Sequence, residues 1–122
     1  MAAILVLEYK SIQQVKYWQN SYQLMGHVLN YNPQSPLANL NYGIALMKRG
    51  DYQGAIAYTT KATQLSPDNS NTYYNLGLSY IFAQNLEKAQ EQYRILLKRA
   101  PELAHKLQEA MEEIPRQLGR SP

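Results

Sequence analysis

The sequence predicts an all-α fold in which helix–turn–helix units stack into a solenoid. Apolar residues recur at helical spacing, and Gly, Asn and Pro separate the helical segments. The stretch "LNYGIALMKRGDYQGAIAYTTKATQLSP" returns 34 residues later as "YNLGLSYIFAQNLEKAQEQYRILLKRAP". The residues that recur in register are Gly43 as Gly77, Ala55 as Ala89, and Pro67 as Pro101. A fixed period indicates stacked units, because one unit cannot bury its apolar face alone.

Composition limits the classes of function. A chain of 122 residues that is 45% hydrophobic is sized for one globular domain. It has no cysteine, which excludes a disulfide framework, a thiolate zinc site and a cysteine nucleophile. Its net charge of +3 includes a modest gathering of basic residues, which we interpret as a solvated face and not a nucleic-acid site. These residues are Arg94, Lys98, Arg99, Arg116 and Arg120.

The apolar run "AAILVL" at Ala2–Leu7 is too short to cross a membrane. It also lacks the basic start and small-residue cleavage site of a secretory signal. We therefore expect no membrane insertion by the residues present. The chain is expected in the cytoplasm, or as a soluble extramembrane domain of a larger protein.

The first copy begins with a capped helix. Ser35 can cap its N-terminus, and Pro36 fits the first turn, where an N–H is not needed. Leu40, Ile44 and Met47 then fall at i, i+4 and i+7, which is one helical face.

Small and polar residues punctuate the second half of each copy. Gly50 ends the first helix, Asp51 can cap the next one, and "SPDNS" at Ser66–Ser70 breaks the chain again. In the second copy we place Asn85 at the position of Gly50, because Asn best replaces Gly in a left-handed helix cap.

The repeat resembles the tetratricopeptide repeat (TPR) family, whose pattern is W-x-x-L-G-x-x-Y, then A-x-x-x-F, then P. The second copy reads Tyr73-x-x-Leu76-Gly77-x-x-Tyr80, Ala89-x-x-x-Tyr93 and Pro101. The first reads Asn39-x-x-Tyr42-Gly43-x-x-Leu46, Ala55-x-x-x-Thr59 and Pro67, which keeps the small residues but loses two large ones. The resemblance implies a right-handed TPR solenoid.

The predicted layout is a single TPR domain over residues 1–122. It comprises a degenerate repeat at 2–35, TPR repeats at 36–69 and 70–103, a capping helix at 104–115 and a tail at 116–122. The degenerate repeat rests on Pro33, one period before Pro67, and on the stretch "SYQLMGHVLNYNP", with a partner helix near 7–15. The capping helix rests on apolar residues from Leu103 to Ile114, and Pro115 is expected to end it.

We expect no enzyme, cofactor or metal site. His27 and His105 have no second ligand at metal spacing, and no Gly-rich phosphate loop is present. Glu112 and Glu113 are adjacent, so on a helix they point in different directions. Trp18 is interpreted as a core aromatic residue.

The TPR resemblance implies a concave groove, lined by the first helix of each repeat, that binds peptides or protein segments. The residues implied are Leu37, Leu40, Asn41, Ile44, Met47, Lys48, Asn71, Tyr74, Asn75, Leu78, Ile81 and Phe82. Asn41 and Asn75 resemble the stacked asparagines that hold a peptide backbone in some members, although Asn is also common at this position. Leu40 and Ile44 stand where the repeats that clamp acidic chaperone tails need Lys and Arg, which disfavours that clamp.

Three interpretations remain. The favoured one is a non-catalytic scaffold that binds an apolar or amphipathic peptide segment. The second is an accessory domain of a membrane glycosyltransferase, because "QQVKYWQNSYQLMGHVLNYNPQSP" at Gln13–Pro36 resembles the start of the TPR tail in some polytopic enzymes of that class. The third is a self-assembling structural unit, in which a second chain or the N-terminal segment fills the groove and the chain forms a homo-oligomer.

Overall fold

The computed structural model describes residues 20–119, and every regular element within that range is a helix. This confirms the all-α prediction. Helix α1 takes up 20–31 of the described residues. It is followed by α2 (Pro36–Lys48), α3 (Tyr52–Leu65), α4 (Ser70–Phe82), α5 (Leu86–Arg99) and α6 (Pro101–Gly119). The helix predicted near 7–15 and Trp18 lie outside the described residues.

Consecutive helices pack in antiparallel pairs that form two layers. α2 packs on α3, α3 on α4, and α4 on α5, while α6 packs against both α4 and α5. Within one layer α2 contacts α4, and α4 contacts α6. The inner layer therefore consists of α2, α4 and α6, and the outer layer contains α3 and α5. α6 covers the open side of the second pair, as the capping prediction required.

Polar side chains start the helices where the sequence predicts. The Ser35 hydroxyl accepts a hydrogen bond from the Ala38 N–H at 3.1 Å, and Pro36 is the first residue of α2. The Asp51 carboxylate accepts one from the Gly54 N–H at 2.9 Å. Both bonds satisfy N–H groups that lack a partner in the first turn of a helix.

The prediction for the turn between α4 and α5 is wrong by one residue. Gly50 has a φ of 87°, and the non-glycine residue that adopts the same left-handed conformation is Gln84, with a φ of 63°. Asn85 instead caps α5, where its side-chain oxygen accepts a hydrogen bond from the Lys88 N–H at 3.2 Å. The period of 34 residues pairs Gly50 with Gln84 and Asp51 with Asn85, so the capping role took precedence for Asn85.

The prediction that Pro115 ends the last helix is also wrong. α6 continues through Pro115 to Gly119. Pro115 lacks the N–H that would bond the carbonyl of Met111, which costs one helical hydrogen bond. The last turn lies against the α4–α5 turn, where Pro115 and Leu118 line one cavity together with Ile81 and Leu86. This apolar surrounding favours continuation of the helix.

The core depends on small residues where paired helices meet. Ala55, Ala62, Ala89 and Ala104 are completely buried. Larger buried side chains form two clusters, one around Leu46 and Met47 of α2 and one around Ile81, Leu96 and Leu107. Leu78 of α4 packs against both clusters, so the two repeats share one continuous apolar interior.

The two repeat glycines permit different close approaches. A Cβ on Gly43 would lie 2.7 Å from the Thr59 methyl carbon and 3.3 Å from the Ala55 carbonyl oxygen. α2 therefore touches the backbone of its partner α3, as the repeat pattern implies. At Gly77 the nearest atoms belong to Leu107 of α6, at 2.7 and 2.8 Å, so this glycine makes room for the capping helix.

One hydrogen bond recurs with the repeat period. The Tyr73 hydroxyl donates to the Pro67 carbonyl at 2.9 Å, and 34 residues earlier the Asn39 amide donates to the Pro33 carbonyl at 3.0 Å. The recurrence supports the interpretation of Pro33 as the end of a degenerate repeat, which stays a prediction. Asn39 is fully buried, and its side-chain oxygen has no hydrogen-bond partner among the described residues. A cavity of about 240 Å³ lies beside it, where Tyr73 places a ring in the next repeat.

Tyrosines join α1 to the first repeat. The Tyr42 ring stacks on Tyr22 at 5.1 Å and meets Tyr58 edge-on at 4.7 Å, and the Arg49 guanidinium lies 4.1 Å from the Tyr22 ring centre. The hydrogen bond with Tyr22, together with burial, raises the pKa of Tyr42 to about 12.

The left-handed conformation of Gln84 predicts a stabilising substitution. Gln84→Gly should raise the free energy of unfolding by about 0.5–1 kcal/mol, because glycine adopts positive φ without a Cβ clash. Gly50→Ala at the equivalent turn should lower it by a similar amount. Urea denaturation followed by circular dichroism measures both changes, and a destabilised Gln84→Gly would show that this turn is assigned wrongly.

The contacts of Gly43 predict that its replacement is costly. Gly43→Ala should destabilise the protein by on the order of 1–3 kcal/mol, because the Thr59 methyl is fixed by a hydrogen bond from its hydroxyl to the Ala55 carbonyl. Gly77→Ala should be close to neutral, because the terminal carbons of Leu107 can rotate away and alanine favours the helix by about 1 kcal/mol. Equal stability of the two variants in thermal unfolding would contradict the different approaches described here.

The raised pKa of Tyr42 predicts an alkaline loss of stability. A folded-state pKa of about 12 against an ordinary value of 10.0 means that the folded protein favours the protonated phenol. The resulting stabilisation is complete below pH 10.0 and is lost as the pH rises through about 12. Free energies of unfolding measured across this range should fall more steeply for the native protein than for Tyr42→Phe, and parallel curves would contradict the assignment.

Candidate functional site: a groove on the inner helices

The inner helices present an accessible row of residues on the face away from α3 and α5. Within each helix the row is spaced i, i+4, i+7, i+11, and successive helices continue it one period later. The row comprises Leu37, Asn41, Ile44 and Lys48 on α2, then Asn71, Asn75, Leu78 and Phe82 on α4. Leu37 is 66% exposed, whereas Ile44 and Leu78 are half-buried. These eight residues are the accessible part of the predicted groove.

Three residues of the predicted groove are core residues instead. Leu40 is 7% exposed, Met47 8% and Ile81 1%, so none of them offers a ligand a useful surface. The inner helices approach closely along this second row; the Met47 sulfur lies 3.7 Å from the Ser79 hydroxyl of α4. The sequence spacing places both rows on the inner face, but it does not distinguish the row that the neighbouring helix covers.

Two accessible residues of α4 also support the core. The Phe82 ring stacks on Tyr52 of α3, with centroids 5.4 Å apart. Leu78 packs against both apolar clusters. A polar substitution at either position would therefore disturb folding as well as binding.

The predicted asparagine pair is accessible but differs from a free ladder. The Asn75 side-chain N–H donates to the Asn71 carbonyl at 2.9 Å within the same helix. A side-chain amide has two N–H donors and an oxygen acceptor, so Asn75 keeps one N–H and its oxygen for a ligand. Asn41, one period earlier, is half-buried.

α6 extends the accessible row, which the sequence analysis missed. One period beyond the row on α4 lie four exposed polar residues, His105, Glu109, Glu112 and Arg116. The imidazole Nε2 of His105 lies 3.1 Å from a carboxylate oxygen of Glu109. The signal was present in the sequence, because the same count that linked Asn41 to Asn75 leads on to Glu109. We had treated α6 only as a cap.

Tyr74 lies between the two kinds of surface. Its ring packs against the cluster that contains Leu107 of α6. Burial raises the pKa of Tyr74, and the negative charge of Glu109 raises it further. The Glu109 carboxylate is therefore close to the Tyr74 phenol, so the groove changes from apolar and amide side chains to an acidic edge.

No helix within residues 20–119 has the length and apolar character needed to cross a membrane. The same part of the chain holds no group of three His, Asp or Glu side chains arranged around a common point.

Comparison with known families identifies the class of protein. A tetratricopeptide repeat model matches residues 46–111, which is more than half of the chain. Together with the paired helices and the small residues between them, this match shows that the chain belongs to the tetratricopeptide repeat family.

One relative is similar in sequence over part of its length. The chain is 26% identical over 86 residues to human protein O-mannosyl-transferase TMTC3. The match covers 70% of this chain but only 9% of that protein. This distant, partial homology is consistent with the predicted resemblance to membrane glycosyltransferases, and it concerns a small segment of the enzyme.

Solved structures confirm the fold. The first TPR of Spaghetti (RPAP3), bound to the HSP90 peptide SRMEEVD, superposes with a TM-score of 0.70 at 20% identity, covering 91% of this chain and 92% of that one. The TPR2B domain of yeast Sti1, in a complex with pHsp70, superposes with a TM-score of 0.61 at 19% identity, covering 91% and 93%. At these identities the likeness concerns the fold.

Proposed function

We propose that this chain is a non-catalytic interaction scaffold that binds an apolar or amphipathic peptide segment in the groove on α2, α4 and α6. The observation that carries the proposal is the accessible row, in which apolar and amide side chains alternate with the same spacing on two neighbouring helices. Leu37, Ile44 and Leu78 offer apolar contact, and Asn41 and Asn75 offer backbone-like hydrogen bonds.

The structural neighbours support a peptide ligand in general terms. One is bound to an HSP90 peptide, and another is in a complex with pHsp70. An accessible apolar patch on a soluble domain is typical of an interaction site. The groove also presents hydrogen-bonding groups in a fixed arrangement on rigid helices, which reduces the ordering required on binding.

A second candidate rests on the partial homology with human protein O-mannosyl-transferase TMTC3. In this interpretation the chain is an accessory TPR domain of a membrane glycosyltransferase, and the groove holds a protein segment near the enzyme. The two candidates use the same surface and differ in what the gene encodes beside this domain. Membrane spans encoded upstream in the same reading frame would favour the second one.

The groove should lose binding when a charge is placed in its apolar part. The probe is a phage-displayed library of random peptides, selected on the native protein and then measured as synthetic peptides by fluorescence polarisation. Ile44→Glu and Leu37→Glu should each weaken the recovered peptides by about tenfold or more, because the partner would desolvate the new carboxylate. Leu78 is not used, because it supports the core.

Leu97→Glu is the matched control. Leu97 is 48% exposed on α5 of the outer layer, so the same chemical change there should leave binding unchanged. Circular dichroism should show all three variants folded. Recovered peptides that bind the Ile44 and Leu37 variants as well as the native protein would overturn the groove. A dimer that Ile44→Glu converts to a folded monomer would assign the groove to a second copy of the chain.

A further inference from the structure

The groove has an uneven distribution of charge. α4, in its centre, contains no charged residue at all. On α2 the accessible row is uncharged until Lys48 at its last position. On α6 the middle of the row consists of Glu109 and Glu112, both fully accessible to a ligand in the groove. A bound segment therefore meets apolar and amide groups along α2 and α4, and carboxylates along α6.

The surroundings of Glu109 suit a cation. His105 holds one carboxylate oxygen of Glu109 at 3.1 Å, which fixes the direction of the side chain. The half-buried ring of Tyr74 packs beside α6, on the groove side of the Leu107 cluster. A carboxylate next to an aromatic ring attracts a guanidinium or ammonium group by charge and by the ring face together.

We propose that the groove selects an amphipathic segment whose apolar side chains lie along α2 and α4 and whose Lys or Arg binds at Glu109 beside Tyr74. This inference rests on the proposed function and adds the charge of the partner. It separates this chain from the neighbour that holds SRMEEVD, a peptide rich in acidic residues. Here an acidic tail would face Glu109 and Glu112, and Ile44 would offer its carboxylates no positive partner.

The experiment uses the peptides recovered on the native protein from the random library. These should be enriched in Lys and Arg relative to the unselected library, and replacing the basic residue of a recovered peptide by Glu should weaken binding by about tenfold. Glu109→Gln should weaken the basic peptide by about fivefold, and Glu109→Lys by more, since an exposed ion pair contributes roughly this much. Binding of the basic peptide should also decline as the salt concentration rises.

Glu91→Lys is the matched control, because it makes the same change in net charge on the outer helix α5, where Glu91 is exposed beside Lys88. It should leave binding of the basic peptide nearly unchanged. Glu109→Lys should also improve the weak binding of the Glu-containing peptide and of SRMEEVD, which a purely structural role for Glu109 would not produce. An equal effect of Glu91→Lys would overturn the inference, because it would reflect net charge alone.

The outcomes separate this inference from the proposed function. If peptides are recovered and Ile44→Glu abolishes their binding, but they show no basic preference and are insensitive to Glu109→Lys, the charge selection is wrong and the groove stands. If no peptide is recovered, or if the recovered peptides ignore Ile44→Glu, the proposed function fails and the inference fails with it. Tight binding of SRMEEVD to the native protein would overturn the charge selection directly.

Discussion

The structure depends on the close approach of paired helices through residues that have almost no side chain. Ala55 and Ala89 are fully buried, and at Gly43 the backbones of α2 and α3 come so near that a methyl group has no space. Helices in such contact bury little apolar area within a pair. Most of the apolar burial therefore lies between neighbouring pairs, where Leu78 packs on both sides. This is the physical reason why the units stack and why α6 must cover the last one.

The sequence predicts those features that short-range rules determine. Helical spacing, the caps at Ser35 and Asp51 and the small residues of the repeat place the helices correctly, because each depends on a few neighbouring residues. The errors arise where tertiary contact overrides a local rule. Pro115 remains helical because α6 is packed along its length, and Leu40, Met47 and Ile81 are core residues because an adjacent helix covers their side of the inner face. Periodicity defines a face, but only the packed structure shows how much of that face stays open.

A polar substitution in the first repeat shows how the pattern tolerates change. Asn39 replaces a large aromatic residue and still makes the hydrogen bond to the preceding proline carbonyl that Tyr73 makes one period later. The geometric function of the position survives, while its volume is lost and a cavity remains. An unpaired buried oxygen costs free energy, so this end of the array is less well packed than the Leu96 and Leu107 cluster. The TPR pattern thus preserves the position of the backbone more strictly than the identity of the side chain.

The same separation explains why the groove can differ so much from those of its structural relatives. Residues that fix the solenoid point toward the paired helix, whereas the accessible row contributes little to helix pairing except at Leu78 and Phe82. Ile44, Asn75 and Glu109 can therefore change without altering the fold, and the order of their chemistry along the row determines which segment fits. A fold match at about a fifth sequence identity carries the shape of the groove to this chain. The charge at its α6 edge comes from Glu109, and that charge makes an acidic tail a poor ligand for the same shape.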